Sequence, residues 1–182
     1  VLDTARADLH DNNRHLAVAP SAAKTLADVM PAADVFIGVS AANALSADLL
    51  KLMAAKPVVF ALANPDPEIL PSVAHAVRDD ILMATGRSDF PNQVNNALCF
   101  PYLFRGALDA KAKQITDEMQ IAAAQALAAL AREPVPADVL QAYNLTGLSF
   151  GKDYIIPKPF DKRLLARVSG AVADAARAQQ AK

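Results

Sequence analysis

Three short runs along the chain are apolar without alternating. They are Asp34-Val35-Phe36-Ile37-Gly38-Val39, Pro57-Val58-Val59-Phe60-Ala61-Leu62-Ala63 and Ile81-Leu82-Met83-Ala84-Thr85-Gly86. Continuous apolar runs of this length predict parallel strands with helices covering both faces. Each run gives way to a small or polar residue: Ser40, Asn64 and Gly86. Helical patterns lie between them. Ser46 precedes Ala47–Met53, where Leu49, Leu50 and Met53 share one stripe. Ser21 after Pro20 predicts a cap for a helix over Ala22–Met30, with Leu26, Val29 and Met30 inward. Asp66, Pro67 and Glu68 predict an N-cap, a first-position proline and a first-turn acid. The alternation of helix and strand predicts βαβ units with right-handed crossovers, an α/β fold with a Rossmann-like parallel sheet flanked by helices.

From about Asn95 the strand signal fades. Helices are predicted over Phe100–Lys113, Ile115–Arg132, Ala137–Tyr143 and Asp161–Gln180, with a loop over Asn144–Pro159 whose centre, Asp153–Ile156, is β-like. The division that follows is a sheet-bearing part, residues 1–112, and a C-terminal helical extension packing on it, residues 113–182. A dinucleotide fold opens with a strand, G-x-G-x-x-G and a helix. The glycines stand at 38, 86, 106, 147, 151 and 170, and no two have that spacing. Three strands are also few for a free-standing α/β domain. The expected sheet is therefore incomplete at its N-terminal half, the earlier strands having been removed.

Composition narrows the function classes. Hydrophobic residues make up 53% and charged residues 20%, which excludes a disordered chain. The 18 basic and 19 acidic residues nearly cancel and form no basic run, which argues against binding nucleic acid or an anionic membrane through bulk charge. No apolar stretch approaches the roughly 20 residues that span a bilayer. The start, Val1-Leu2-Asp3, has neither an initiator Met nor the pattern of a signal peptide, and a fragment is expected. A single cysteine, Cys99, allows no internal disulfide, and a reducing cytoplasm is the simplest setting.

Candidate chemistry gathers where strands end. Asn64 follows the second strand, at the edge where open α/β sheets bind ligands, and Pro65 holds it extended. Its amide can donate to a carboxylate and accept from a carboxamide. Asn-Pro is equally a common turn pair. Thr85–Asn96 is the densest polar segment, suited to an anionic or nicotinamide-like ligand or to a solvated loop. Asn95 and Asn96 would stand about 100° apart on a helix, so that both would not face one ligand equally. Gly38-Val39-Ser40 could give a close backbone approach to a cofactor, or only a turn. His10, His15 and His75 are expected at the surface, Cys99 in the core, and Lys158 facing solvent. Asp79-Asp80 is expected in a loop before a strand.

The segments Ala61-Leu62-Ala63-Asn64-Pro65-Asp66-Pro67-Glu68-Ile69 and Ala84–Pro101, the latter containing Thr85-Gly86-Arg87-Ser88-Asp89-Phe90-Pro91-Asn92-Gln93-Val94-Asn95-Asn96, resemble bacterial malic enzymes. The likeness continues through Phe104–Asp109 and Phe150–Asp161 and covers nearly the whole chain. The resemblance implies oxidative decarboxylation of (S)-malate to pyruvate and CO2, with NAD or NADP and a divalent metal, Mg or Mn. It implies that Asn64, Asn95 and Asn96 contact malate or pyruvate, that Asn64 and Asn95 also meet the nicotinamide end of the cofactor, and that Gly38, Val39 and Ser40 border the cofactor. It places the family's general-base Lys, Tyr acid, metal ligands and glycine fingerprint before the position matched by Val1. It therefore implies a chain inactive alone, partnered by a missing N-terminal part of the same enzyme in a homo-oligomer. The competing reading is a noncatalytic fragment or interaction module that keeps the fold. Locally, Ala5 stands where the family often has Gly, and Asp11–Leu16 fits it poorly.

Overall fold

A computed structural model describes residues 1–181. Two four-residue helices, α1 (Asp11–Arg14) and α2 (Leu26–Val29), lead into β1 (Val35–Gly38), α3 (Ala47–Lys51), β2 (Val58–Ala61), α4 (Pro71–Val77) and β3 (Leu82–Thr85). A short 3-10 turn, Asn96–Leu98, then precedes α5 (Phe100–Asp109), α6 (Asp117–Ala131), α7 (Ala137–Ala142) and α8 (Arg163–Gln180). The strands pair in parallel, in the order β1-β2-β3. The register sets Gly38 beside Ala61 and Ala61 beside Thr85, so all three strands end level at one edge of the sheet. No described helix is long and apolar enough to cross a membrane.

Two apolar clusters hold this arrangement. One packs Leu45, Leu50, Met53, Ile69, Ala74 and Ile81 with Val59 and Met83 of the sheet. The other joins α5, α6 and α8 through Leu103, Ala107, Met119, Leu130, Leu164, Val168 and Val172. Gly106 permits the close approach of α5 to α8: a Cβ there would lie 2.5 Å from the Ser169 carbonyl oxygen and 2.7 Å from Val172 Cβ.

The strands stand where the apolar runs put them, but β1 is not covered on both faces. Val35 and Ile37 are 53% and 64% exposed. The helix expected over Ala22–Met30 shrinks to α2. Its cap is Thr25 rather than Ser21, because Thr25 and Asp28 exchange side-chain and backbone hydrogen bonds in a capping box. Asp66, Pro67 and Glu68 do not open a helix either. Helix α4 begins at Pro71 after Leu70, Asp66 pairs with Arg87 at 3.0 Å, and Glu68 turns inward. Residues 153–156 form no strand: Gly151 and Tyr154 make one antiparallel bridge. Helix α5 ends short of Lys113; just past it Lys111 takes a φ of 52°. Helix α6 is capped by the Thr116 hydroxyl, which accepts from the Met119 amide. Helix α8 starts after buried Asp161, whose carboxylate accepts from the Arg163 amide and guanidinium.

Candidate functional site

Because the strands end level, the segments that follow them emerge side by side. They border a cleft of about 370 Å³, roofed by the start of α5, by α6 and by the loop before α8. Its walls are Val39, Leu62, Val94, Leu98, Phe100, Leu127 and Ile156, with the amides of Asn64, Asn95 and Asn96 and the thiol of Cys99. A mostly apolar cleft carrying a few amides suits a flat ring bearing a polar substituent.

Of Gly38, Val39 and Ser40, only Val39 lines this cleft; it is 77% exposed. Gly38 is buried beneath it, and the Ser40 hydroxyl donates to Glu68 at 3.1 Å. Asn64 is exposed and donates one hydrogen bond, to the Leu62 carbonyl at 3.2 Å. Asn95 and Asn96 both line the cleft, and the helical offset expected between them does not apply, since Asn95 is extended at φ −137°. The Asn95 amide is already engaged: it accepts from the Ala97 N–H at 3.0 Å and donates to the Gly86 carbonyl at 3.2 Å. Asn96 is exposed.

Cys99 packs against the core formed by α5, α6 and α8 and also reaches the cleft. It sits half-buried in the cleft wall, and burial pushes its pKa up, keeping it protonated at neutral pH. Lys158 does not simply face solvent. It is half-buried over the Tyr143 ring, 5.1 Å from the centroid, and burial pushes its ammonium down. The three histidines are exposed, and Asp79 and Asp80 lie in the loop before β3, where Asp80 pairs with Arg78 at 2.7 Å.

Two residues to which the sequence assigned no part in the site shape it. Asn92 is 3% exposed with a φ of 53°. Its Nδ2 donates to the Met83 carbonyl at 2.9 Å and the Lys152 carbonyl at 2.7 Å, and its Oδ1 accepts from the Ile155 N–H at 2.9 Å. It thus fastens the loop before α8 to β3. The second is Glu68, fully buried, whose carboxylate accepts from the Ser40 N–H at 2.7 Å, the Ser40 hydroxyl at 3.1 Å and the Ala63 N–H at 3.1 Å. Burial by itself would raise the Glu68 pKa, but the Ser40 and Ala63 amides outweigh it and hold the group below the ordinary value. A lowered carboxyl contributes stability that is complete above its unfolded pKa and is lost as pH falls through its folded one. The urea midpoint of the wild-type chain should therefore fall on acidification below about pH 4.5, and Glu68→Gln should flatten that part of the profile. Parallel profiles for the two proteins would contradict this.

A larger cleft, about 620 Å³, lies between Lys111–Met119 and the end of α8. None of the strand-end residues reaches it, and the smaller cleft carries the convergent chemistry.

Residues 1–142 match the family described as malic enzyme, NAD binding domain. The chain belongs to the malic enzyme family. It is 53% identical over 176 residues to the NADP-dependent malic enzyme of Halomonas elongata, covering 97% of this chain and 42% of that one. It is 57% identical over 154 residues to the NAD-dependent malic enzyme of Rhizobium meliloti, covering 84% of this chain and 20% of that one. The crystal structure of Entamoeba histolytica malic enzyme superposes with a TM-score of 0.82 at 33% identity, over 98% of this chain and 36% of that one. This malic enzyme chain therefore spans less than half the length of these relatives.

Proposed function

We propose that the chain is the nicotinamide-facing part of an enzyme that oxidises and decarboxylates (S)-malate to pyruvate and CO2 while reducing NAD or NADP. The observation that carries the reading is the convergence of Val39, Asn64, Asn95 and Asn96 on one cleft at the level ends of a parallel sheet. The apolar walls fit a nicotinamide ring, and the amides fit its carboxamide and a substrate carboxylate. The bound dinucleotide supplies the hydride acceptor. This chain's part is to seat the ring against Val39, Leu62 and Ile156, to keep water from that face, and to hold the substrate's carboxylate with Asn64 and the free donors of Asn96. The amide of Asn95, spent on Gly86 and Ala97, braces the wall.

The cleft residues do not fit a hard divalent cation. Among the described residues no carboxylate lines the cleft, and Glu68 nearby already accepts from three donors. No step is assigned through a metal here. The exposed apolar face of β1 (Val35, Ile37) and the stripe Phe100, Phe104 and Leu108 along α5 support burial against further protein, from the same polypeptide or in an oligomer. The lone half-buried thiol is compatible with a cytoplasmic setting.

Grafted in place of the matching segment of the Halomonas elongata enzyme, the chain should sustain malate-dependent NADP reduction with CO2 release. The chain by itself should show none, because the cleft holds no proton-transfer pair. A folded graft that binds NADPH yet turns over no malate would contradict the proposal.

A further inference from the structure

Beyond Gly38 the first two strands part. Their last shared backbone hydrogen bond runs from the Leu62 N–H to the Gly38 carbonyl. Val39 and Asn64 then stand on separate walls of the cleft. One side chain spans the gap. Oε1 of Glu68 takes the amide and hydroxyl of Ser40, next in sequence to Val39, and Oε2 takes the amide of Ala63, next to Asn64. The same residue's carbonyl accepts from the Leu45 N–H, and the Pro67 carbonyl accepts from the Asn43 N–H, so the rest of the loop after β1 hangs on the same segment.

The fit is reciprocal. A Cβ at Gly38 would stand 2.4 Å from Glu68 Cδ and 2.5 Å from its Oε1. Position 38 thus lacks a side chain where the carboxylate lies, which is a reason for glycine there that needs no cofactor. No basic side chain pairs with Glu68 among the described residues, and its charge is met only by N–H and O–H dipoles from the two walls. A charged group buried this way is costly unless its donors are held in place. Tethering the two walls is what that arrangement achieves.

We propose that Glu68 is a positioning residue for the dinucleotide: its carboxylate sets the separation of Val39 and Asn64, and through it the affinity of the cleft for the nicotinamide end. This rests on the cofactor reading above and deepens it. Gln has the same length but puts an NH2 where one of the two walls presents an N–H, so one tether is lost while the packing volume stays. Gly38→Ala leaves the charge and pushes the carboxylate off its seat.

The test uses the Halomonas graft and NADPH, followed by nicotinamide fluorescence well below the melting temperature. E68Q and, separately, G38A are each expected to raise Kd about tenfold, with S40A, which keeps the amide, under about threefold. In an E68A background the further effect of G38A should shrink to about twofold or less, because the two nearest atoms it would strike are gone and only Phe36 Cε1, at 2.8 Å, is left to give way. A lower melting temperature with Kd unchanged in both folded single variants would make Glu68 merely structural and overturn the inference while leaving the cofactor reading intact. Should E68Q not fold, G38A alone decides in the same way. Failure of the unmutated graft to bind NADPH would overturn both.

Discussion

Replacing Asn92 by Ala should destabilise the chain by about 3 kcal/mol, the largest loss expected from any single side chain near the site. Three hydrogen bonds disappear together, one buried and two part-buried, leaving the Ile155 N–H and the Met83 and Lys152 carbonyls short of a partner. The backbone adds to the cost. Asn tolerates the φ of 53° at this position, and Ala tolerates it less well. Asn92→Asp is expected to be nearly as damaging, since a carboxylate cannot donate to two carbonyls. Urea unfolding of the wild type and both variants checks this, with an unchanged midpoint for Asn92→Ala as the contrary result. Hydrogen exchange should also rise first in 150–156, the segment that Asn92 fastens to β3.

Asn64→Ala is expected to act the other way round, on turnover and not on folding. The side chain is exposed, and its one internal hydrogen bond, to Leu62, spans 3.2 Å. Little stability depends on it. In the Halomonas graft, loss of a hydrogen bond to a charged substrate should lower kcat/KM for malate by about 1.5–3 kcal/mol, roughly 10- to 150-fold. A melting temperature within about two degrees of the parent is expected alongside. Normal kinetics with a large drop in melting temperature would assign Asn64 to the turn alone.

What the sequence disclosed followed the reach of each interaction. The three strands and most helices are set by runs of apolar residues and, before α3, by the local cap Ser46, so they could be read directly; the Thr116 cap of α6 shifted that helix's start by two residues from the expected Ile115. Helix starts were misjudged where a side chain had a distant use. Glu68 reads as a first-turn acid, yet it is drawn inward by Ser40, 28 residues away. Asn92 reads as one more polar residue in a loop, because its partners Lys152 and Ile155 lie 60 and 63 residues further on. The only local signal was an Asn after a Pro, in a place suited to positive φ. The exposure of Val35 and Ile37 was invisible for the opposite reason: a continuous apolar run predicts two covered faces whether or not the covering protein is within the chain. The cleft residues themselves were legible in part. Asn64, Asn95 and Asn96 stand out by residue type at strand ends, but only the level register of the strands brings them to Val39. That Ser40 turns its hydroxyl to Glu68 and not to the cleft required the three-dimensional contact.

The central claim is that the cleft between Val39 and the asparagines seats the nicotinamide. A crystal structure of the Halomonas graft with NADPH bound tests it most directly. The account predicts the nicotinamide ring between Val39, Leu62 and Ile156, with polar atoms of cofactor or substrate within hydrogen-bond distance of Asn64 and Asn96. A nicotinamide seated elsewhere, for instance in the larger cleft beside Lys111 and Gln180, with the Val39–Asn96 cleft filled only by water, would contradict it.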